Sequence, residues 1–90
     1  MGRETVLFKS EERKSLAEVA AVLRQVADKV EQGSISLGQG DNTVILDFPK
    51  SLNLEIKAEE EQKKHLKRSL EIELEWAVGA EEETVGLVIG

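Results

Sequence analysis

Apolar and acidic residues alternate without interruption in the stretch that ends at the chain's one tryptophan. Even-numbered positions are apolar and odd-numbered positions carry carboxylates: Leu70, Ile72, Leu74 and Trp76 against Glu71, Glu73 and Glu75. Strict alternation places the two sets on opposite faces of a β-strand. We therefore expect one face to be buried and the other to be acidic and solvated.

A helical pattern occupies residues 15–33. Ser15 is followed three residues later by Glu18, which is the spacing of a capping box. Gly33 stands where a left-handed residue commonly ends a helix. At about 100° per residue, one arc of about 160° collects the apolar side chains: Leu16, Val19, Ala20, Val22, Leu23, Val26, Ala27 and Val30. The pattern predicts an amphipathic helix that lies on a core.

Three predicted turns join the strands that follow the helix. Gly40 and Asp41 suit the central positions of a type II′ hairpin turn, and further turns are predicted at residues 49–51 and 61–65. With these turns, the following apolar residues lie opposite each other on neighbouring strands: Leu37–Val44, Ile35–Leu46, Phe48–Leu52, Leu46–Leu54, Ile56–Leu70, Leu54–Ile72 and Leu52–Leu74. Because a one-residue slip would invert every side chain, the agreement between the turns favours an antiparallel meander.

Residues 4–11 are interpreted as a further strand before the helix, with Val6 and Phe8 facing inward. A helix of about 18 residues spans roughly 27 Å, enough to return along that strand, which would then lie antiparallel to the last one. The predicted fold class is α+β, with a mostly antiparallel five-stranded sheet (β-α-β-β-β-β, order 2-3-4-5-1) and one amphipathic helix packed on one face. We expect residues 1–79 to form this domain and residues 80–90 to form an acidic and apolar C-terminal tail that could add a strand.

Trp76 is interpreted as a core residue that ends the inner face of the last strand and packs on the helix. Burying 150 to 250 Å² of indole contributes very roughly 4 to 6 kcal/mol, which explains the residue without a ligand. The predicted structural core combines the largest apolar side chains: Trp76, Leu74, Ile72, Leu70, Phe8 and Leu23.

One helix is too narrow to cover the predicted sheet. Five strands span roughly 20 to 24 Å, whereas a helix is about 10 to 12 Å across. Three covers remain open: strong curling of the sheet, a second copy of the chain, or the apolar part of the tail, namely Val85, Leu87 and Ile89.

Three segments of the chain together resemble a known family. Glu-Thr-Val-Leu-Phe-Lys-Ser-Glu at residues 4–11, the capped helix, and Leu-Glu-Ile-Glu-Leu-Glu-Trp at residues 70–76 together resemble the amphi-Trp domain family of archaea and bacteria. The resemblance spans roughly residues 3–78. It implies a small α+β domain, found alone or appended to others, without an established activity, and it carries over no catalytic or binding residue.

Composition narrows the classes of function. The 90 residues include 12 basic and 18 acidic side chains, for a net charge of −6, which argues against a nucleic acid partner. Cysteine is absent, which excludes a disulfide framework and a thiol nucleophile. Apolar runs are shorter than the roughly 18 residues of a membrane span, so we expect a cytoplasmic protein with no membrane partner.

Few residues of the chain are candidates for catalysis or ligand binding. His65, the only histidine, falls in a predicted turn among lysines and is interpreted as a solvated residue. We therefore expect no enzyme activity, no cofactor and no metal. The candidate binding surface is the acidic outer face of the sheet, with Glu55 predicted directly opposite Glu71: Glu55, Glu71, Glu73 and Glu75.

These observations predict a non-catalytic binding or assembly module that self-associates, as a homodimer, or binds another protein partner. Apolar surface that one helix cannot cover favours this interpretation. The alternative is a domain that binds a cation or a basic ligand through the acidic face.

Overall fold

One helix and four strands make up the fold. The computed structural model describes residues 2–79, whose elements are α1 (Leu16–Gln32), β1 (Ser34–Gln39), β2 (Asn42–Asp47), β3 (Asn53–Gln62) and β4 (Leu66–Glu75). The predicted α+β class is confirmed. The predicted five-stranded sheet is wrong, because the strands form two antiparallel sheets of two strands each. The tail predicted at residues 80–90 lies outside the described residues.

The described part of the chain divides into two compact units, the first ending at Phe48 and the second beginning at Pro49. The first contains α1 with the β1–β2 hairpin, and the second contains the β3–β4 hairpin.

Both predicted caps of α1 are confirmed. The Ser15 backbone N–H donates to Glu18 Oε1 at 2.9 Å, and the Glu18 backbone N–H donates to Ser15 Oγ at 3.2 Å. Gly33 has φ of +100°, and its N–H donates to the carbonyl oxygens of Lys29 and Val30 at 2.9 and 3.2 Å. Local sequence alone therefore determines where this helix begins and ends.

Ser15→Ala is expected to destabilise the fold by about 1 kcal/mol, because the Glu18 N–H loses its acceptor and the capping box is broken. Urea unfolding followed by circular dichroism measures the difference. Ser10→Ala is the matched control, since Ser10 precedes the helix and belongs to no regular element. Coincident unfolding curves for the Ser15 variant and the parent protein would contradict a stabilising cap.

The β1–β2 hairpin has the predicted register. Leu37 lies opposite Val44, and Ile35 lies opposite Leu46. Gly40 has φ of +62°, and no residue other than glycine has a positive φ among residues 2–79. A single left-handed residue at the first central position distinguishes the predicted type II′ turn from type I′, which needs two.

The inner face of the first hairpin is shielded and its outer face is open. Ile35, Leu37, Val44 and Leu46 are all partly shielded, whereas Ile45 is 67% exposed. Helix α1 packs against β1. The helix on a sheet face, predicted from periodicity, is thus present within the first unit.

The strand predicted at residues 4–11 is absent. Residues 2–14 form no regular element, and Val6 and Leu7 are 74% and 57% exposed. A strand needs a ladder that pairs its backbone groups, and the two described sheets do not include this segment. Val6 and Phe8 are only two predicted inward positions, and the residue between them, Leu7, is also apolar, so the pattern is too short to predict a strand. The predicted order 2-3-4-5-1 is wrong for the same reason.

The turn predicted at residues 49–51 does not connect two paired strands. The expected pairs Phe48–Leu52 and Leu46–Leu54 are absent from both sheets. Instead, the Phe48 backbone N–H donates to the carbonyl oxygen of Gly33 at 2.9 Å. This bond holds the end of β2 to the beginning of β1, and Pro49, which has no N–H, follows it.

The β3–β4 hairpin forms with the predicted faces but a different register. Leu54 lies opposite Leu74 and Ile56 opposite Ile72, so the predicted Leu54–Ile72 pair is wrong. Every pair is displaced by two residues, which leaves each side chain on its predicted face. Hydrophobic alternation alone therefore cannot distinguish the two registers.

Charge pairing explains the register that forms. The observed ladder opposes unlike charges at three positions: Lys57–Glu71, Glu60–Arg68 and Glu61–Lys67. Each register also opposes two glutamates, which is unfavourable: Glu55 and Glu73 in the observed ladder, and Glu55 and Glu71 in the predicted one. The predicted register, however, would have opposed a basic residue to a glutamate at one position, Glu59–Lys67. The turn is accordingly centred on Lys64, between the last pair Gln62 and Leu66.

Among residues 2–79, none is fully buried. Of the residues expected to form the core, Phe8, Leu74 and Trp76 are partly exposed. The other three are exposed to 49%, 51% and 68% in the order Leu23, Ile72 and Leu70. A packed core is therefore not completed by the described part of this chain.

Candidate functional site

An exposed apolar surface runs along one side of the β3–β4 hairpin. We call it the apolar hairpin face and define it by the even-numbered residues Leu54, Ile56, Ala58, Leu70, Ile72 and Leu74. In the order Leu54, Ile56, Leu70 and Ile72, the exposed fractions are 56%, 64%, 68% and 51%. Adjacent large apolar side chains with this exposure are typical of an interaction surface.

Two charged residues interrupt this side of the hairpin. Glu60 and Arg68 are opposed in the ladder and follow the apolar pair Ala58–Leu70. Arg68 Nε donates to Glu60 Oε2 at 2.6 Å. Sequence reasoning missed both residues, although their even numbers among alternating hydrophobic residues could have placed them on the apolar side.

The opposite side of the hairpin is acidic. We call it the acidic hairpin face and define it by the four predicted residues Glu55, Glu71, Glu73 and Glu75, all exposed. The structure opposes Glu55 to Glu73, so the predicted Glu55–Glu71 pair is wrong. It also places Glu75 at the end of β4, opposite Asn53.

Lys57 neutralises part of this face. Its Nζ lies 3.7 Å from Glu59 Oε2 and 3.7 Å from Glu71 Oε1. The charges of Glu59 and Glu71 raise the pKa of Lys57. Lys57 lies directly opposite Glu71 in the ladder.

Glu73 is the acidic residue whose titration the hairpin changes. A hydrogen bond with the Glu55 side chain, followed by the charges of Glu75 and Glu55, raises the pKa of Glu73. A raised pKa in the folded state stabilises the fold below the unfolded-state value of about 4.3. That stabilisation is lost as the pH rises through the folded-state pKa.

Glu73→Gln is expected to remove this pH dependence and to raise the melting temperature slightly at neutral pH, because Glu55 then faces a neutral amide. Thermal unfolding from pH 4 to pH 7, spanning the unfolded-state value of about 4.3, measures it. Glu4→Gln removes the same charge from a segment outside both sheets and should leave the slope unchanged. Equal slopes for Glu73→Gln and the parent protein would refute the coupling of Glu55 and Glu73.

His65 and the helix were also considered as possible functional features. His65 lies in the exposed β3–β4 turn, as expected, and its carbonyl oxygen accepts from the Lys63 N–H at 3.2 Å. Within residues 2–79, no three histidine or acidic side chains are grouped as metal ligands would be. The helix in this part of the chain lacks the apolar length that crossing a membrane requires.

Trp76 directly follows β4 and is partly exposed. Its even number continues the alternation of the apolar hairpin face. The alternating glutamates and Trp76 are among the residues on which the family resemblance rests. A family model, that of the Amphi-Trp domain, matches residues 1–90.

The chain belongs to the Amphi-Trp domain family. The match extends beyond residues 3–78, on which the resemblance was based, and includes residues 80–90. No curated protein and no solved structure matches the chain. The two-sided hairpin of this Amphi-Trp domain, apolar on one face and acidic on the other, is therefore the candidate site that its own residues define.

Proposed function

We propose that this Amphi-Trp domain is a non-catalytic assembly module that forms a homodimer through the apolar hairpin face. The observation that carries the proposal is the exposure of Leu54, Ile56, Leu70 and Ile72, each more than half accessible on one side of one hairpin. An isolated two-stranded hairpin is marginally stable in water. Covering this face with a second copy would stabilise the hairpin and remove the apolar surface from water.

The magnitudes support association of two copies. Fully burying a leucine or isoleucine contributes about 1.5 to 3 kcal/mol, so covering one that is roughly 60% exposed contributes about 1 to 2 kcal/mol. Four such side chains from each of two copies contribute about 8 to 16 kcal/mol together. This gain is of the same order as the cost of association, about 4 to 15 kcal/mol, so burial of this one face can offset that cost.

The non-catalytic part of the proposal follows from the kinds of residue that the chain carries. A general base needs a pocket and an orienting carboxylate, whereas His65 lies in an exposed turn beside lysines. The absence of cysteine from all 90 residues is consistent with the cytoplasmic location that we propose for the module.

Light scattering on the purified full chain tests the proposal. The mass should equal that of two chains at tens of micromolar and fall toward one chain on dilution. A single-chain mass at every concentration would overturn the homodimer.

A second candidate function uses the acidic hairpin face. The pKa of Glu73 is raised by its neighbours Glu55 and Glu75, so a bound cation or basic ligand would relieve repulsion there. Titration calorimetry with polylysine, Mg²⁺ and Ca²⁺ should then give saturable heat that Glu71→Gln or Glu73→Gln reduces. Glu4→Gln is the control of equal charge, and the absence of heat with all three ligands would exclude this function.

A further inference from the structure

Glu60 and Arg68 occupy an unusual place for an exposed ion pair. Their side chains lie on the apolar side of the hairpin, two ladder pairs beyond Ala58–Leu70, and remain 51% and 78% exposed. Exposed ion pairs contribute only about 0 to 1 kcal/mol. The stability of the single hairpin therefore gives little reason for two charges at the end of an apolar surface.

The neighbouring pair combines a small residue with a large one. Ala58 is opposite Leu70, and these two residues border an open depression that is also lined by Glu59, Glu60, Arg68 and Ser69. A leucine from a facing surface would fit above Ala58. Leu70 of a second copy is such a leucine, so the apolar hairpin face is complementary in shape to the same face of another copy.

Symmetry determines which residues meet when two copies of this face pack together. In a two-fold dimer the same surface contributes from both copies, and packed sheets keep their strands roughly aligned. If the two-fold axis runs parallel to the strands between the sheets, β3 of one copy lies over β4 of the other. Each residue then lies over the residue that is its own ladder partner, but in the second copy.

This arrangement gives complementary contacts between copies to both pairs, Ala58–Leu70 and Glu60–Arg68. Ala58 of each copy faces Leu70 of the other, so small meets large twice. Glu60 of each copy faces Arg68 of the other, so four charges alternate in sign. An axis perpendicular to the strands would instead place the charged end of one hairpin over the apolar end of the other, and burying charges against apolar side chains is costly.

We propose that the apolar hairpin face binds the same face of a second copy about a two-fold axis parallel to the strands, with Glu60 and Arg68 fixing the register by pairing reciprocally between copies. The inference rests on the proposed homodimer and specifies its geometry. Charge pairs at interfaces commonly select partner and register in this way.

Charge reversal of the full chain tests the register. Glu60→Arg and Arg68→Glu are each expected to weaken self-association about tenfold or more, because like charges then face each other across the interface. Mixing the two variants in equal amounts should restore a two-chain mass, since unlike charges meet between copies although neither chain has its internal pair. The double variant, which restores both kinds of pair, should associate as the parent protein does.

Glu61→Lys and Lys67→Glu are the matched controls. These residues form the next ladder pair, on the opposite side of the hairpin, and their reversal should leave the mass unchanged. Light scattering and circular dichroism are recorded together. If the single variants lose structure, recovery of both signals on mixing supports the proposal, and failure to recover refutes it.

The remaining outcomes separate this inference from the proposed function. Single variants that associate as strongly as the parent protein would overturn the register and leave the homodimer intact. Recovery in the double variant without recovery in the mixture would show that the pair acts only within one chain, which also overturns the register. A parent protein that is monomeric throughout would remove the homodimer itself.

Discussion

Replacing Leu70 by lysine is expected to convert the self-associated protein into a monomer at micromolar concentration. Leu70 is 68% exposed on the apolar hairpin face, in the pair nearest to Glu60 and Arg68, where a second copy would cover it. Because only the exposed part of Leu70 is covered by a second copy, the substitution removes about 1 to 2 kcal/mol of burial per leucine. It also adds the cost of a desolvated ammonium group. Since each dimer contains two copies of the change, the association constant should fall by about a hundredfold or more.

Ser69→Lys is the matched control for that result. Ser69 is the neighbouring residue on β4, is also exposed, and lies on the opposite side of the hairpin. The control changes the net charge by the same amount on the same strand. Sedimentation velocity should therefore show monomers for Leu70→Lys and dimers for Ser69→Lys. Identical behaviour of the two variants would mean that the apolar hairpin face is not the interface.

Trp76→Ala is expected to produce the largest loss of folding stability of any single substitution. The indole is shielded over most of its surface, and truncating a core tryptophan costs about 3 to 5 kcal/mol. Partial exposure places the expected value near the lower limit, about 3 kcal/mol. A domain of this size has only about 5 to 13 kcal/mol in total, so the melting temperature should fall by many degrees.

Val78→Ala provides the comparison for Trp76→Ala. Val78 lies two residues further along and is 93% exposed, so its truncation should change stability by less than about 0.5 kcal/mol. Urea unfolding of both variants gives the two values. If Trp76→Ala unfolds like the parent protein but no longer self-associates, the indole belongs to the interface and not to the fold.

Elements determined by neighbouring residues could be predicted from the sequence. Ser15, Glu18 and Gly33 define the helix because a cap depends on groups only a few residues apart. Gly40 fixes the first hairpin because only glycine adopts a left-handed conformation there without strain. In both cases the chemistry that determines the structure is contained within one short segment.

Elements that depend on distant partners could not be predicted in the same way. Val6 and Phe8 alternate as strand residues do, but alternation does not reveal whether another strand is available to pair with them. Because the sequence pattern does not show which strands pair, one five-stranded sheet was predicted where two smaller sheets form. Periodicity assigns a face to each residue, and it does not specify which strands are neighbours.

The candidate site was predicted in part for a related reason. Alternation correctly separated the apolar hairpin face from the acidic hairpin face, because a displacement of two residues preserves both faces. It could not show that Glu55 meets Glu73, or that Glu60 meets Arg68, since opposition across a ladder depends on register. A comparison of charge pairs between the two registers would have favoured the one that forms.

Methyl-resolved NMR of the full chain with a soluble nitroxide tests most directly whether a second copy covers the apolar hairpin face. Ile45, which is 67% exposed on the other hairpin, provides an internal reference in the same sample. At concentrations that give a two-chain mass, the methyl groups of Leu70 and Ile72 should be protected from broadening while those of Ile45 are broadened. Broadening of all three to the same extent would contradict the interface on which the account depends.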